Sequence, residues 1–109
     1  MKLRGAAFLL AIPCLPLSAE ARDLKAFFQE RCAVCHGTDG SGRGPNGVRL
    51  GGRSLLDARW LTKQEDADLA TSILRGRGAM PGFRRQLSEA EAHRMISDVI
   101  RPLGTRKRP

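Results

Sequence analysis

Two cysteines and a histidine lie within five consecutive residues of this chain, in the run Cys32-Ala33-Val34-Cys35-His36. Residues three apart in a helix share one face, so a single helical turn would present both sulfurs side by side, with the histidine directly after them. The chain has three cysteines, and the third, Cys14, lies in a segment of different character. A framework of several disulfides is therefore excluded. The five-residue run indicates one site of chemistry or binding around which the chain must fold.

The spacing C-x-x-C-H is the attachment signature of c-type haem. Sulfurs at this separation can bond two neighbouring vinyl groups on one edge of a porphyrin, and the imidazole of His36 is then placed to face the iron. A zinc site needs four ligands, and only His93 is left as a fourth, without a second cysteine pair to support it. A thioredoxin-like dithiol requires a βαβ context that this chain lacks. The run thus predicts one covalently attached haem c, held by Cys32 and Cys35.

The first 21 residues have the pattern of a secretory signal peptide. A positive start, Met1-Lys2-Leu3-Arg4, precedes an apolar run over residues 5–17, and Ser18-Ala19-Glu20-Ala21 ends in a small-residue cleavage pattern. The run is too short to cross a bilayer, which takes roughly 20 apolar residues. We predict that residues 1–21 are removed, with cleavage after Ala19 as the alternative. The mature protein would then be periplasmic, with no transmembrane segment.

The mature chain has little material for a core of its own. Removing 21 of the 109 residues leaves 88, enough for one small domain. A chain of this size buries only about 60–65% of its unfolded surface and is marginal without an additional stabilising element. Aromatic residues are few, with four Phe, one Trp and no Tyr. We therefore expect apolar mass from outside the polypeptide, such as a porphyrin, to complete the core.

Hydrophobic periodicity predicts that the mature chain begins with a helix. An apolar stripe marks this helix from Arg22 to Cys35, and Gly37 follows it as a stop. The glycine-rich stretch from Thr38 to Arg53 is predicted to be a loop. Structureless segments of this length in small domains usually wrap a ligand or serve another function. Residues 54–61 are then predicted to form a short helix.

Two capping boxes predict the remaining helices. Thr62 and Ser88 each precede a glutamate by three residues, and each pattern opens a stretch with one apolar face. No strand pattern stands out. The predicted fold is therefore all-α, with three to four short helices wrapped around the haem in a domain over residues 22–104. A basic tail over residues 105–109 follows it.

A haem iron bound by His36 requires a second axial ligand for electron transfer. Met80 lies in a loop between two predicted helices, where Pro81 biases it toward an extended backbone and nearby glycines allow close approach to a flat macrocycle. Met95 falls on the apolar stripe of the last helix, and His93 is predicted to point away from that stripe. A neutral thioether favours Fe(II) and occupies the position that oxygen would need. We predict His36 and Met80 as the axial ligands, with an open or differently ligated iron as the alternative.

These motifs together resemble the class I c-type cytochromes, specifically the small monohaem bacterial ones. The resemblance covers most of residues 24–103. Beside the haem motif it rests on Gly44-Pro45-Asn46, Gly78-Ala79-Met80-Pro81-Gly82-Phe83 and Leu87-Ser88-Glu89-Ala90-Glu91. The resemblance implies that the first and last helices cross and pack. In this chain the contact would join Leu24 and Phe28 to Ile96, Val99 and Ile100.

The resemblance also implies roles for two residues beside the haem. The backbone carbonyl of Pro45 would accept the Nδ1–H of His36, which fixes the ring and raises its donor strength. Trp60 would either donate a hydrogen bond to a haem propionate or belong to the core. The chain departs from the mitochondrial-type pattern in having no tyrosine. The hydrogen bonds that tyrosine supplies there must come from elsewhere or be absent.

The mature chain is strongly basic. The whole sequence carries a formal charge of +8, loss of the signal segment leaves +7, and two ionised propionates would lower this to about +5. Such charge would steer the protein to acidic patches on redox partners, although a basic surface can also serve solubility alone. The signal segment and the lack of clustered aromatic residues disfavour nucleic acid as a partner. The candidates for the docking face flank the Met80 loop: Arg75, Arg77, Arg84 and Arg85.

The resemblance and the signal segment together predict a periplasmic monohaem cytochrome c. It would be a monomer that carries single electrons between redox partner proteins and needs no catalytic residues. A first alternative keeps the haem but makes the chain a dedicated subunit of a periplasmic dehydrogenase or reductase complex. A second alternative is a periplasmic thiol-disulfide oxidoreductase that uses Cys32 and Cys35. A third, a basic binding module, would fold without haem.

Overall fold

The computed structural model describes residue 5 and residues 22–105. The predicted signal peptide lies outside the described part except for residue 5, as do residues 106–109 of the predicted basic tail. Strand-like pairing in the described part is limited to two isolated bridges, Arg43 with Arg49 and Arg77 with Met80. The predicted all-α class is confirmed.

The described residues form four helical stretches, numbered α1 to α4. The helix α1 covers residues 24–36 and consists of Leu24–Phe27, a π-helical segment Phe28–Cys32, and Ala33–His36. The helices α2 and α3 are Ala58–Thr62 and Asp66–Arg75. The helix α4 covers residues 89–104 and consists of Glu89–Met95, a π-helical segment Ile96–Ile100, and Arg101–Gly104. In the described part, no helix is long and apolar enough to cross a membrane.

Side-chain caps fix where α1 and α4 begin. The carboxylate of Asp23 accepts the N–H of Ala26 at 3.0 Å before α1. The capping box predicted at Ser88 is present before α4. Its hydroxyl accepts the N–H of Glu91, and the Glu91 carboxylate accepts the N–H of Ser88, both at 3.0 Å. These bonds satisfy N–H groups that have no partner within the helix.

The capping box predicted at Thr62 is wrong. Thr62 is the last residue of α2, and its hydroxyl donates to the carbonyl three residues back at 3.2 Å. The reason is a competing cap at Asp57, whose carboxylate accepts the N–H of Trp60 at 3.2 Å and opens α2 at Ala58. The next helix therefore starts only after Glu65, which makes no side-chain cap.

The core lies where α1 packs against α4. Phe28 of α1 and Met95 and Ile96 of α4 are at most 2% exposed. The crossing of the first and last helices is confirmed, because one buried cluster contains all the residues named for it: Leu24, Phe28, Ile96, Val99 and Ile100. Phe27 packs edge-on against Phe83, with ring centroids 5.7 Å apart. This contact ties the segment after Met80 to α1.

Candidate functional site

The predicted haem motif forms the end of α1. Cys32 closes the π-helical segment, and Cys35 and His36 lie in the α-helical turn that follows. All three side chains are half-buried, and the two cysteines are not bonded to each other. Gly37 ends the helix with a φ of 82°, a left-handed value that favours glycine, and its N–H donates to the carbonyl of Ala33 at 2.8 Å.

A cavity of about 640 Å³ opens beside this turn. Pockets for cofactors and other small ligands usually measure about 300–1,000 Å³. Its walls are mostly apolar and come from α1, residues 50–55, α2, one face of α3, the Met80 loop and α4. Of the six residues predicted for the haem site, five line this cavity: Cys32, Cys35, His36, Met80 and Trp60.

His36 is held by a backbone carbonyl, but not by the predicted one. Its Nδ1 donates to the carbonyl oxygen of Arg53, with 2.9 Å between the two atoms. Pro45 is exposed at the tip of a tight turn, in which the N–H of Gly47 donates to the carbonyl of Gly44 at 2.9 Å. Pro45 does not line the cavity. The role that the resemblance implied for Pro45 is therefore wrong, and Arg53 takes it.

Close packing of a glycine explains why Arg53 is the acceptor. The N–H of Gly52 donates to the carbonyl of Cys35 at 2.9 Å, and a Cβ atom added at Gly52 would lie 2.5 Å from that oxygen. Only a residue without a side chain can come so close to the end of α1. This contact brings the next carbonyl, that of Arg53, within reach of the imidazole. With its proton on Nδ1, His36 keeps the Nε2 lone pair that an iron ligand requires.

Burial makes the thiol of Cys32, the first cysteine of the haem motif, less acidic. Desolvation raises the pKa of the Cys32 thiol to about 11. Nucleophilic and redox-active cysteines have lowered pKa values, because the thiolate is the reactive form. The surroundings of Cys32 therefore disfavour a dithiol redox site.

An arginine that was not predicted as a site residue, Arg53, forms part of one wall of the cavity. The guanidinium carbon of Arg53 lies 3.7 Å from the centre of the Trp60 ring, a cation–π distance. Both residues line the cavity. Arg53 thus supplies a carbonyl to His36 and a cation to the wall. The run Gly51-Gly52-Arg53 was visible in the sequence, but it gains meaning only once Gly52 is seen to pack on Cys35.

Met80 lines the cavity from the loop after α3. Its backbone N–H and C=O pair with those of Arg77, both at 3.0 Å, which closes the loop into a tight turn. A Cβ atom added at Gly76 would lie 2.6 Å from the Met80 carbonyl, so this turn requires a glycine there.

Met95 also lines the cavity, but it is only 1% exposed within the core, whereas Met80 is half-buried. His93 is exposed and is not among the lining residues.

The arginines predicted as a docking face surround the Met80 loop. All of them are exposed: Arg75, Arg77, Arg84 and Arg85. None of them takes part in an ion pair within residues 22–105. Arg77 also lines the cavity.

Comparison with known proteins identifies a family and relatives of this chain. Residues 19–97 match the family described as cytochrome C oxidase, cbb3-type, subunit III. The chain is 34% identical over 74 residues to the cbb3-type cytochrome c oxidase subunit CcoP of Azospirillum brasilense, which covers 67% of this chain and 25% of that protein. It is 34% identical over 89 residues to subunit CcoP of Cereibacter sphaeroides, which covers 81% of this chain and 28% of that protein. The chain thus spans about a quarter of the length of these relatives.

Smaller c-type cytochromes match over most of their length. Cytochrome c6 of Synechocystis is 27% identical over 105 residues, which covers 85% of this chain and 84% of that protein. Among solved structures, the KustC0563 c-type cytochrome has a TM-score of 0.59 and 26% identity over 74% of this chain and 96% of that one. The c-type cytochrome NirC has a TM-score of 0.54 and 25% identity over 71% of this chain and 88% of that one. These similarities confirm the predicted cytochrome c-like fold.

Proposed function

Because the chain belongs to the cytochrome C oxidase, cbb3-type, subunit III family, we propose that it carries single electrons through one haem c. As a c-type cytochrome it binds haem c covalently and functions in electron transfer. In our proposal Cys32 and Cys35 anchor the haem, and His36 and Met80 ligate its iron. The observation that carries the proposal is the convergence of these four side chains on one largely apolar cavity of about 640 Å³.

The donor set of the cavity fits such a group. Cys32 and Cys35 would hold the group, each through one thioether bond formed when its S–H adds across a vinyl double bond. His36 offers Nε2, because the carbonyl of Arg53 holds the proton on Nδ1 at 2.9 Å. Leu50 is 37% exposed at the cavity, and a macrocycle would cover it. When bound, haem c supplies an iron that takes up and releases one electron.

The wall formed by Arg53 and Trp60 fits the carboxylates of a haem. The Arg53 guanidinium is held 3.7 Å from the Trp60 ring, so it is already oriented before any anion arrives. A guanidinium can bind a carboxylate through two parallel hydrogen bonds. We propose that Arg53 neutralises a propionate and that the indole N–H of Trp60 donates to one. This pair would replace hydrogen bonds that tyrosine supplies in mitochondrial-type proteins.

Met80 sets the electronic character of the site in this proposal. A soft, neutral thioether stabilises Fe(II) relative to a second imidazole and raises the reduction potential. As a ligand, Met80 would also occupy the coordination position that oxygen or a substrate would need. The chain then needs no catalytic residues, and its reaction is one-electron cycling between Fe(III) and Fe(II).

We propose that the working protein is a periplasmic monomer comprising residues 22–104 and a short basic tail, produced by removal of residues 1–21. Its net charge after processing and haem attachment would be about +5. The exposed arginines around the Met80 loop support docking to acidic patches on redox partner proteins. Electron-transfer encounters are small and transient, so a weak and salt-sensitive complex is expected.

A dedicated subunit of a larger redox complex is the second candidate. It is favoured by the relatives, which are named as subunits of cbb3-type cytochrome c oxidase and of which the matching part is only about a quarter. The free carrier and the dedicated subunit differ in how tightly the chain binds its redox partner. Co-elution with a membrane or soluble oxidoreductase in gel filtration at physiological salt would favour the subunit, and elution at the size of a monomer would favour the carrier.

A thiol-disulfide oxidoreductase is less consistent with the site. Such an enzyme requires a thiolate at neutral pH, whereas burial raises the pKa of Cys32 to about 11. Intact mass of the protein from a periplasmic fraction tests the haem proposal against the oxidoreductase and also tests removal of the signal segment. We expect residues 22–109 or 20–109 plus the mass of one haem, with no titratable thiol. An unmodified mass with two free thiols would overturn the haem proposal and restore the oxidoreductase.

A further inference from the structure

We infer that Arg101 is a positioning residue for the haem cavity: it fixes the turn between α2 and α3 and, through this turn, the wall that carries Trp60. The inference rests on the proposed use of the cavity for haem. Arg101 lies in α4, and its guanidinium reaches backbone carbonyls 37 and 40 residues earlier in the chain. Nη1 donates to the carbonyl of Leu61 at 2.9 Å, and Nη2 to that of Gln64 at 2.8 Å.

A carboxylate completes this clamp. Nε of Arg101 donates to Oδ1 of Asp66 at 2.8 Å, and Nη2 contacts the same oxygen. All three guanidinium nitrogens are therefore engaged, across the full width of the turn. The planar guanidinium of arginine has N–H donors on three nitrogens and can reach several separate acceptors. The ammonium of a lysine has its donors on one nitrogen and cannot span the same set.

The Leu61 side chain anchors the turn in the core at 3% exposure, but the other hydrogen bonds of the turn are short-range. The N–H of Lys63 donates to the carbonyl of Trp60, and that of Gln64 to the carbonyl of Leu61, both at 3.1 Å. The side-chain amide of Gln64 donates to the Trp60 carbonyl at 3.4 Å. These bonds shape the turn but do not place it against the rest of the molecule. The bonds from Arg101 do, because they come from a different helix.

The clamped residues lie at the cavity wall. Trp60 and Gln64 both line the cavity, directly beside the carbonyls that Arg101 holds. Trp60 in turn stacks under the guanidinium of Arg53, whose carbonyl fixes His36. A contiguous set of contacts therefore runs from Arg101 through Gln64 to Trp60, and from there through Arg53 to His36. Arg101 itself does not line the cavity and would act only through these neighbours.

The chain offers a matched control in a second arginine clamp. Nη1 of Arg22 donates to the carbonyl of Gln86 at 2.6 Å, and its Nε lies 3.3 Å from the carboxylate of Glu91. Neither Arg22 nor these partners line the cavity. Arg22→Gln thus removes a comparable long-range clamp without touching the haem wall.

Trp60 is the only tryptophan of the chain, so its fluorescence reports on this wall alone. The test uses purified protein carrying its haem and compares Arg101→Gln, Arg101→Lys and Arg22→Gln. Readouts are Trp60 emission, which a nearby haem quenches, the midpoint potential by redox titration, and thermal stability. We expect Arg101→Gln to raise Trp60 emission at least twofold and to lower the midpoint potential, because water admitted at the wall favours the ferric state. Arg101→Lys should fall between this variant and wild type.

We expect Arg22→Gln to lower thermal stability without changing Trp60 emission or the potential. If Arg101→Gln also lost only stability, Arg101 would be a structural clamp and the inference would be overturned. If Arg101→Gln did not yield haem-loaded protein, Arg101→Lys would decide, since wild-type emission and potential in that variant would overturn the inference equally. Failure of the proposed function is distinguishable, because wild-type protein would then show no covalent haem spectrum.

Discussion

His36 and Arg53 are joined by a hydrogen bond of 2.9 Å from the imidazole Nδ1 to a backbone carbonyl, so the orientation of the proposed iron ligand depends on the path of a loop 17 residues away. The loop takes this path because Gly52 lies against the end of α1, with its N–H 2.9 Å from the carbonyl of Cys35. Ring orientation and ligand basicity in metal sites are commonly set by such outer hydrogen bonds. Here the packing of one glycine sets them.

Gly52→Ala should therefore disturb both stability and the haem. The added Cβ would lie 2.5 Å from the Cys35 carbonyl oxygen, so the loop must move and the bond from His36 to Arg53 must weaken. We expect a loss of about 1–3 kcal/mol in the free energy of unfolding, as for other overpacked sites. The midpoint potential should rise, because a less basic imidazole donates less charge to iron. Denaturant unfolding and redox titration measure the two effects.

Gly44→Ala is the matched control for this substitution. Its Cβ would lie 3.5 Å from the side chain of Leu50, an ordinary contact, in the same loop. We expect wild-type potential in this variant. Equal potentials in Gly52→Ala and wild type would show that the His36–Arg53 bond does not tune the site.

The local chemistry of this site was predictable from sequence, because the residues that determine it are close together in the sequence. Cys32, Cys35 and His36 share one helical turn, and the structure places them on one cavity with Met80. The capping box at Ser88 was equally accessible, since its two hydrogen bonds join residues three apart. Such features depend on spacing alone.

Features that depend on competition or on loop packing were not predictable. The Thr-x-x-Glu pattern at Thr62 is a genuine capping pattern, but Asp57 opens a helix that runs through Thr62 and leaves it no such role. The acceptor for His36 was assigned to Pro45 by resemblance, whereas the contact of Gly52 with Cys35 delivers Arg53 instead. Neither outcome can be predicted from spacing, because each depends on which of two segments lies close enough in the folded chain to form the contact.

The two methionines at the cavity should respond differently to truncation. Met80→Ala should abolish the methionine-to-iron charge-transfer band in the visible spectrum and lower the midpoint potential, since a water or another ligand would replace the thioether. Met95 is 1% exposed in the core, so Met95→Ala should keep the band but cost about 2–5 kcal/mol in unfolding free energy. Loss of the band in Met95→Ala alone would reverse the ligand assignment.

The capping box of α4 should make stability depend on acid pH. The hydrogen bond from the backbone N–H of Ser88 lowers the pKa of Glu91, with a smaller contribution from nearby Arg22. A lowered pKa in the folded state means that Glu91 contributes its full stabilisation above its unfolded pKa of about 4.5, and loses it as pH falls through the folded value. As pH falls below about 4.5, we expect the melting temperature of wild type to fall more steeply than that of Glu91→Gln.

Glu89→Gln is the control for this pH dependence, because Glu89 lies in the same first turn but takes no part in the capping box. It should follow the wild-type curve. Parallel pH profiles for wild type and Glu91→Gln would show that the box is not linked to protonation. Ser88→Ala should cost about 1 kcal/mol at neutral pH, the usual value for loss of an N-cap.

Salt should slow electron exchange with an acidic partner if the arginines around the Met80 loop form the docking face. Screening shortens the reach of surface charge from about 10 Å at 0.1 M salt to about 3 Å at 1 M. We expect stopped-flow rates with a small redox protein of acidic isoelectric point to fall several-fold over this range. The double variant Arg84→Gln/Arg85→Gln should lower the rate at low salt and make the rate less dependent on salt concentration. Lys25→Gln/Arg59→Gln removes the same charge from exposed positions elsewhere and should leave the rate near wild type. Equal slowing in both pairs would mean that net charge, and not this face, guides the encounter.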